Sequence, residues 1–350
     1  MHSETIATRQ GEEIAAEPLR DYLRGRMEVS ADLTIEQFPN GHSNLTYLLK
    51  TGGREYVLRR PPLGPVAPKA HDMVREYRVL RAVHPHYPQA PEAFAVCEDP
   101  AVLGAPFFVM ERRHGIVLRE GIPAEMAAVP DHPRRISEAF LDALVKLHAI
   151  DVSQENLRDL GKPEGYVERQ VRGWGDRWER AKTEEVAEME GVIRWLASAM
   201  PESLAPTLVH NDYKLDNVML GADSSGRVEA VLDWEMTTLG DPLSDLGLTL
   251  CYWVWATAPE VRVAGIPALT CNPGWHTRDQ MVERYAAATG RDVTHIGYHE
   301  VLGIFKLAVI IQQIYSRFHR GQTQDERFRN FGERAKALTR VAARLAEKYS

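Results

Sequence analysis

The segment LVHNDYKLDNVML, residues 208 to 220, places His210, Asn211, Asp212, Lys214, Asp216 and Asn217 between the apolar flanks Leu208–Val209 and Val218–Leu220. A turn between two strands uses one or two polar residues. Six imply a loop that acts on something. Asp212 and Asn217 stand five residues apart, and the next apolar stretch, VEAVLDWE, carries Asp233 near its C-terminal edge. Adjacent hairpin strands are expected to bring all three to one rim. A carboxylate that accepts a proton, a neutral amide oxygen and a second carboxylate suit a substrate hydroxyl and a Mg²⁺ ion bearing phosphates. The chemistry expected is phosphoryl transfer. Lys214 either leans toward the transferred phosphoryl group or lies solvated at the loop edge. His210 is expected to be buried and to shape the loop rather than carry protons. Asp241 and Asp245, in GDPLSDLG, stand at a helix start, where capping and the helix dipole account for them.

The elements that must position this loop differ between the two parts of the chain. From Leu33 to about Glu111 the pattern is short strands and turns, LTIEQF, PNGHS, NLTYLLK, TGGR and EYVLRR, an antiparallel meander. Gly52 and Gly53 suit the positive φ of a tight hairpin. One helix, roughly Ala70 to Val83, interrupts the meander, and PFFVMERR adds a further strand. Beyond Arg113 the chain reads as helical. SEAFLDALVKLHAI, from 137 to 150, opens on Ser137 as an N-cap. Further helices are expected at about 165 to 198, 242 to 256, 278 to 289, 298 to 319 and 325 to 347. The fold class expected is α+β and bilobal: a small antiparallel β-sheet lobe with one helix over residues 1–111, and a large, mainly helical lobe over 112–350 holding the catalytic loop and the acceptor site.

Composition excludes several classes. A chain of 350 residues with 44% hydrophobic residues can bury a sizeable core. Its 42 basic and 49 acidic residues give a net charge of −7, which argues against a general grip on nucleic acid or an anionic membrane. Cys97, Cys251 and Cys271 are odd in number and widely spaced, which fits a reducing compartment and neither a disulfide framework nor a zinc site. MHSETIATRQGEE lacks the pattern of a signal peptide, and Leu246 to Ala256, taken as the strongest apolar run, is too short to span a bilayer. A cytoplasmic location is expected.

HNDYKLDN followed by VLDWE resembles the catalytic and metal-binding segments of the aminoglycoside phosphotransferase family, small-molecule kinases related to protein kinases. The resemblance covers roughly residues 25 to 340 and implies a protein-kinase-like fold that uses ATP and Mg²⁺. Asp212 would orient and deprotonate the acceptor hydroxyl, and Asn217 and Asp233 would hold Mg²⁺. In YVLR, Arg59 stands where these kinases usually keep a phosphate-binding Lys, and Glu76 would be its ion-pair partner. Strand alternation puts Val57 on the same face, against the adenine. Met110 and Glu111 would form the hinge that binds the base through its backbone. Gly41 and Ser43, in PNGHSN, would cover phosphate oxygens, and Asp241 and Asp245 would brace the catalytic loop.

Only WEMTTLG separates Asp233 from Asp241, which leaves no room for a protein kinase's activation loop, so the acceptor should be a small molecule. NGHSNLTYLL, YVLRRPP, REYRVLRA and LDWEMTTLGDPLSDLG look closest to the kinase-like modules associated with acyl-CoA dehydrogenases, a branch linked to phosphorylation of hydroxyacyl-CoA. A hydroxylated acyl thioester is therefore the leading acceptor. An aminoglycoside or a choline-like amino alcohol is the alternative, and a silent nucleotide-binding pseudokinase is the alternative of another class. Trp174 and Trp178, at i and i+4, are expected to pack rather than to line an acceptor lid. The basic run from Arg317 to Lys336 is either a solvated helical face or a grip on a phosphorylated acceptor.

Overall fold

The computed structural model describes residues 4–39, 44–62, 71–119, 121–222, 226–253 and 269–350. The chain divides into two compact units, one of Met1–Gly115 with Glu229–Glu235 and one of Ile116–Val228 with Met236–Ser350.

The first unit is built on five antiparallel strands, β1 (Thr34–Gln37), β2 (Leu45–Thr51), β3 (Arg54–Arg60), β4 (Ala93–Cys97) and β5 (Phe107–Glu111), in the order β1-β2-β3-β5-β4. Gly52 (φ 56°) and Gly53 (φ 73°) make the β2–β3 hairpin, two successive positive φ angles that glycine adopts without strain. The period of two in the strands decides which side chains meet. Tyr56 and Leu58 on β3 join Tyr47, Leu49, Phe107 and Val109 in a core covered by Leu19 and Leu23 of α1 (Ala16–Leu23). Val57 and Arg59 therefore project from the opposite face. Helix α2 (Met73–Val83) starts at Met73 because the Asp72 carboxylate accepts the Arg75 N–H at 2.9 Å; Ala70, the expected start, lies outside the described residues. Neither α1 nor β4 is anticipated by the sequence reading. AFAVC is short, rich in alanine and interrupted by a register shift between Ala93 and Ala95, so its alternation is weak.

The second unit is mainly helical, with α3 (His132–His148), α4 (Tyr166–Ala181), α5 (Ala187–Ser198), α6 (Pro242–Tyr252), α7 (Arg278–Thr289), α8 (Ile296–His319) and α9 (Phe331–Lys348) as its longer helices. Helix α3 begins five residues before the expected cap. Pro133 lies in its first turn, while Ser137 is buried mid-helix and donates back to the Pro133 carbonyl at 2.8 Å. Helix α8 is long and apolar enough, by length and composition alone, to cross a membrane, and so supersedes Leu246–Ala256 as the strongest candidate; 67% of its apolar window is buried inside the protein. It is the central helix of this unit, and its buried His299, Glu300, Lys306 and Gln312 are what break up the run in the sequence.

Helices α6 and α8 pack closely because two glycines permit it. A Cβ on Gly247 would lie 2.5 Å from the His299 backbone, and one on Gly303 would lie 2.8 Å from the Cys251 sulfur. Backbone cannot swing aside, so Gly247→Ala must move a helix axis, an overpacking cost of about 1–3 kcal/mol. Its thermal midpoint should fall by several degrees. Gly175→Ala, on α4 with open space at its Cβ, should leave the midpoint unchanged or raise it through better helix propensity. Equal behaviour of the two variants in a thermal melt would contradict this account of the packing.

Candidate functional site

In the second unit the polar loop leaves the strand Thr207–Val209, forms one 3₁₀ turn at Leu215–Asn217 and enters the strand Val218–Leu220. Both flanks are buried, as their apolar residues demand. Thr207–Val209 pairs with Thr238–Gly240, and Val218–Leu220 pairs with Ile116–Val117, so the two flanks belong to different ladders and the loop bridges them.

Asn211 is the strained link. Its φ of 65° puts it in the left-handed region, which costs a residue other than glycine on the order of 1–3 kcal/mol and persists only when the surroundings enforce it. The enforcement is visible. The Asp245 carboxylate accepts the backbone N–H of Asn211 at 2.6 Å and that of His210 at 2.5 Å. The Asn211 side chain accepts from the Tyr166 hydroxyl at 2.6 Å and donates to the Met236 carbonyl at 3.1 Å. Its carbonyl accepts from Lys306 Nζ at 2.8 Å. Asp245 is fully buried and faces His148 at 3.3 Å. Burial works against its charge, but His148 and His210 outweigh that, and its carboxyl is held below the usual carboxylate range. Asp241 alone fits the capping explanation, accepting the Leu243 N–H at 2.9 Å; Asp245 braces the loop. His210 is buried and accepts the Asp212 N–H at Nδ1, 3.3 Å, the shaping role expected of it.

Tyr213 points inward, its hydroxyl donating to the Phe140 carbonyl and its own carbonyl accepting from Thr249. Asp212 and Lys214, on either side, keep 23% and 22% of their side-chain surface exposed. Lys214 Nζ lies 3.0 and 2.9 Å from the two Asp212 oxygens, and Asn217 Nδ2 donates to Asp212 Oδ2 at 2.8 Å and to its carbonyl at 2.9 Å. Asp212, Lys214 and Asn217 therefore meet. Lys214 is not a solvated edge residue: burial opposes its charge, but Tyr252 and the Asp212 carboxylate outweigh that and raise it above the ordinary lysine range. Beside the loop is a pocket walled by Leu118, Phe140, Lys214, Tyr252 and Trp253 and reached by Arg119.

In the first unit Arg59 bridges two carboxylates. One guanidinium nitrogen donates to Glu76 in a short bond, and the other donates to Asp233 at 3.2 Å. Burial opposes the Arg59 charge, but Glu76 and Asp233 hold it above the usual arginine range. Burial also pushes Glu76 up to about 7, against the pull of Arg59. The expected Arg59–Glu76 partnership is present, and Asp233 joins it from the left-handed region, φ 67°. Asp233 lies just past the strand Val228–Val231, in the turn leading to Trp234. Val57 is buried opposite Met110 on β5. The Glu111 N–H donates to the Glu92 carbonyl at 2.7 Å, so its amide is committed and any hinge contact falls to its carbonyl and the residues that follow. Gly41 and Ser43 lie outside the described residues.

Trp174 and Trp178 are buried in the helical core, the packing role expected. In the basic run Arg327 pairs with Asp325, Arg329 with Glu326, Lys336 with Glu184 and Glu333, and Arg320 donates to the Arg180 carbonyl. Lys306 and Tyr166 go unnoticed in the sequence reading. The signal for Lys306 is a lone charge inside LGIFKLAVII; for Tyr166 there is none before the fold is known.

The model of the phosphotransferase enzyme family known as APH matches residues 34–281. The mouse protein "Acyl-CoA dehydrogenase family member 10" is 30% identical over 339 residues, 96% of this chain and 31% of that protein. The human "Acyl-CoA dehydrogenase family member 11" is 31% identical over 340 residues, 94% of this chain and 42% of that protein. The chain thus spans less than half the length of these relatives. Among solved structures, a putative aminoglycoside phosphotransferase from Ralstonia eutropha JMP134 is 29% identical, with a TM-score of 0.82 over 96% of this chain and 99% of that one. The aminoglycoside phosphotransferase APH(4)-Ia, crystallised with AMP-PNP and hygromycin B, shares the fold at 18% identity and a TM-score of 0.60, covering 94% of this chain and 99% of its own. With its kinase-like sheet, its helical second unit and its HNDYKLDN loop, the chain belongs to the APH phosphotransferase family.

Proposed function

We propose that this chain is an ATP- and Mg²⁺-dependent phosphotransferase acting on a hydroxyl of a small molecule. The observation that carries the proposal is Asp212, a part-exposed carboxylate on a strained, fully braced loop, with Lys214 and Asn217 as its immediate partners. Asp212 accepts the proton of the acceptor hydroxyl as the oxygen attacks the γ-phosphoryl group. Lys214 pairs with the Asp212 carboxylate and supplies positive charge to the transferred group. Asn217 and Asp233 each offer a hard oxygen of the kind Mg²⁺ takes while it keeps waters and substrate phosphates, and bound Mg²⁺ would neutralise charge on those phosphates. Arg59 fixes Asp233 and adds charge for the nucleotide. The fold relatives support the nucleotide and acceptor classes: APH(4)-Ia with AMP-PNP and hygromycin B, a macrolide 2'-phosphotransferase and a choline/ethanolamine kinase family protein.

For the acceptor we favour a hydroxylated acyl thioester such as a hydroxyacyl-CoA. Two observations support it: relatives named as acyl-CoA dehydrogenase family members, and a pocket whose walls are largely apolar and aromatic. Lys214 and Arg119 outnumber Asp216 there, which suits an anionic acceptor and repels a polycationic aminoglycoside or a choline-like cation. A silent pseudokinase would have no use for the intact set Asp212, Asn217 and Asp233. Buried free thiols at Cys97 and Cys251 are consistent with a reducing, cytoplasmic setting.

Asp212→Asn should lower turnover by about 10²- to 10⁴-fold, the usual worth of general base catalysis, with nucleotide affinity nearly unchanged. Unchanged turnover would remove Asp212 from the chemistry. Asp233→Ala should weaken binding of Mg·ATP far more than binding of metal-free ATP in calorimetry, and Asn217→Ala should do so less severely. Equal losses with and without Mg²⁺ would show that these residues serve only the fold. Arg119→Glu should raise the KM for a hydroxyacyl-CoA several-fold and leave that for ATP alone; a lowered acceptor KM would favour a cationic acceptor instead.

A further inference from the structure

Lys306 stands at the middle of α8, and only 7% of its surface is exposed. Its Nζ donates to the Asn211 carbonyl at 2.8 Å and lies 5.6 Å from the Trp174 ring centroid. Among the described residues no carboxylate comes within ion-pair distance of it. An ammonium buried against a neutral carbonyl is costly, and a methionine would fill the same space at less cost. The position is therefore informative. The carbonyl belongs to the peptide unit whose nitrogen is that of Asp212, and the N–H of the same unit donates to His210 Nδ1. One peptide plane, clamped at both ends, carries the side chain assigned above as the base.

We propose that Lys306 is a positioning residue that aims the Asp212 carboxylate by clamping the Asn211–Asp212 peptide, and that it does so at full strength only while protonated. This rests on the assignment of Asp212 as the base. A charged donor makes a hydrogen bond roughly twice as strong as a neutral one. It also sets a positive charge behind Asp212. Burial pushes Lys306 down to about 8. The groups that face it are Asp212 and Lys214 on the loop, Asp245 and Cys251 on α6, and Arg177 on α4; the two carboxylates oppose the shift, and Lys214 and Arg177 add to it.

Activity and stability then respond to pH with opposite signs. As pH rises through about 8 the clamp weakens and phosphoryl transfer falls. The unfolded chain holds this proton up to the ordinary lysine value of about 10.4, so between the two values it binds more protons than the folded chain, and this group's contribution to stability rises with pH.

The test uses the full chain, with Lys306→Met, which removes donor and charge, and Lys306→Gln, which keeps a donor without charge. The readouts are Mg·ATP hydrolysis with water as acceptor, transfer to 3-hydroxybutyryl-CoA as a probe, and amide exchange over residues 208 to 217. Lys306→Met should lower kcat by about 10- to 100-fold with the KM for ATP unchanged, Lys306→Gln should lose less, and both should lack the alkaline fall near pH 8. At pH 7 the Met variant should exchange the amides of His210 to Tyr213 at least about tenfold faster while it melts no lower than the parent. An alkaline fall that persists in either variant, or unchanged exchange in the Met variant, overturns the proposal. Should the parent turn over no ATP with either acceptor, the assigned function fails, and exchange alone still decides whether Lys306 clamps the loop.

Discussion

The catalytic loop depends on the buried carboxylate of Asp245. A peptide segment that turns through a left-handed asparagine while leaving a strand presents two amides, those of His210 and Asn211, within the buried interior. Left without acceptors, each would cost about 1–3 kcal/mol. Asp245 takes both, and its own charge is tolerated because His148 faces it and is held in turn by the Tyr285 hydroxyl at 2.7 Å. Tyr166, Lys306 and Thr249 then secure side chain and carbonyls, so helices α4, α6 and α8 each place a polar contact on Asn211 or Tyr213. The close approach of α6 and α8 over Gly247 and Gly303 keeps two of these braces in register.

The first unit repeats the logic with side chains in place of backbone. Arg59 on β3 cannot be buried without counter-charge, and Glu76 on α2 supplies it. The guanidinium fork has a second nitrogen to place, and it takes Asp233, another left-handed residue. A lysine at this position would offer a point charge and no fork. The arginine thus makes Asp233 part of the sheet's own electrostatics, consistent with a carboxylate that must keep its position when phosphates and a cation arrive.

The loop was legible in the sequence because its chemistry is concentrated: six polar residues between apolar flanks have few structural explanations. The Arg59–Glu76 pair was reached through family resemblance, and the structure brings the two together. What stayed hidden was tertiary. That Asp245 braces the loop is implied by the family resemblance, but which amides it takes, those of His210 and Asn211, is set by the fold. Lys306 sits in a helix whose apolar pattern absorbs it. Ser137 drew the start of α3 away from Asp131, although Pro133 marked a first turn upstream, and β4 was lost among alanines. In the basic run near the C-terminus, Arg327 and Arg329 pair with Asp325 and Glu326 close by in the chain.

The central claim is transfer of a phosphoryl group from ATP to a hydroxyl of a small acceptor. Its most direct test incubates the chain with Mg·ATP and a panel of hydroxyacyl-CoA, amino-alcohol and aminoglycoside acceptors, and weighs every product by mass spectrometry. The account predicts one acceptor class gaining a single phosphate, one ADP formed per phosphate transferred, and that class being the acyl thioesters. Nucleotide that binds while no acceptor gains mass and no ADP accumulates would contradict it.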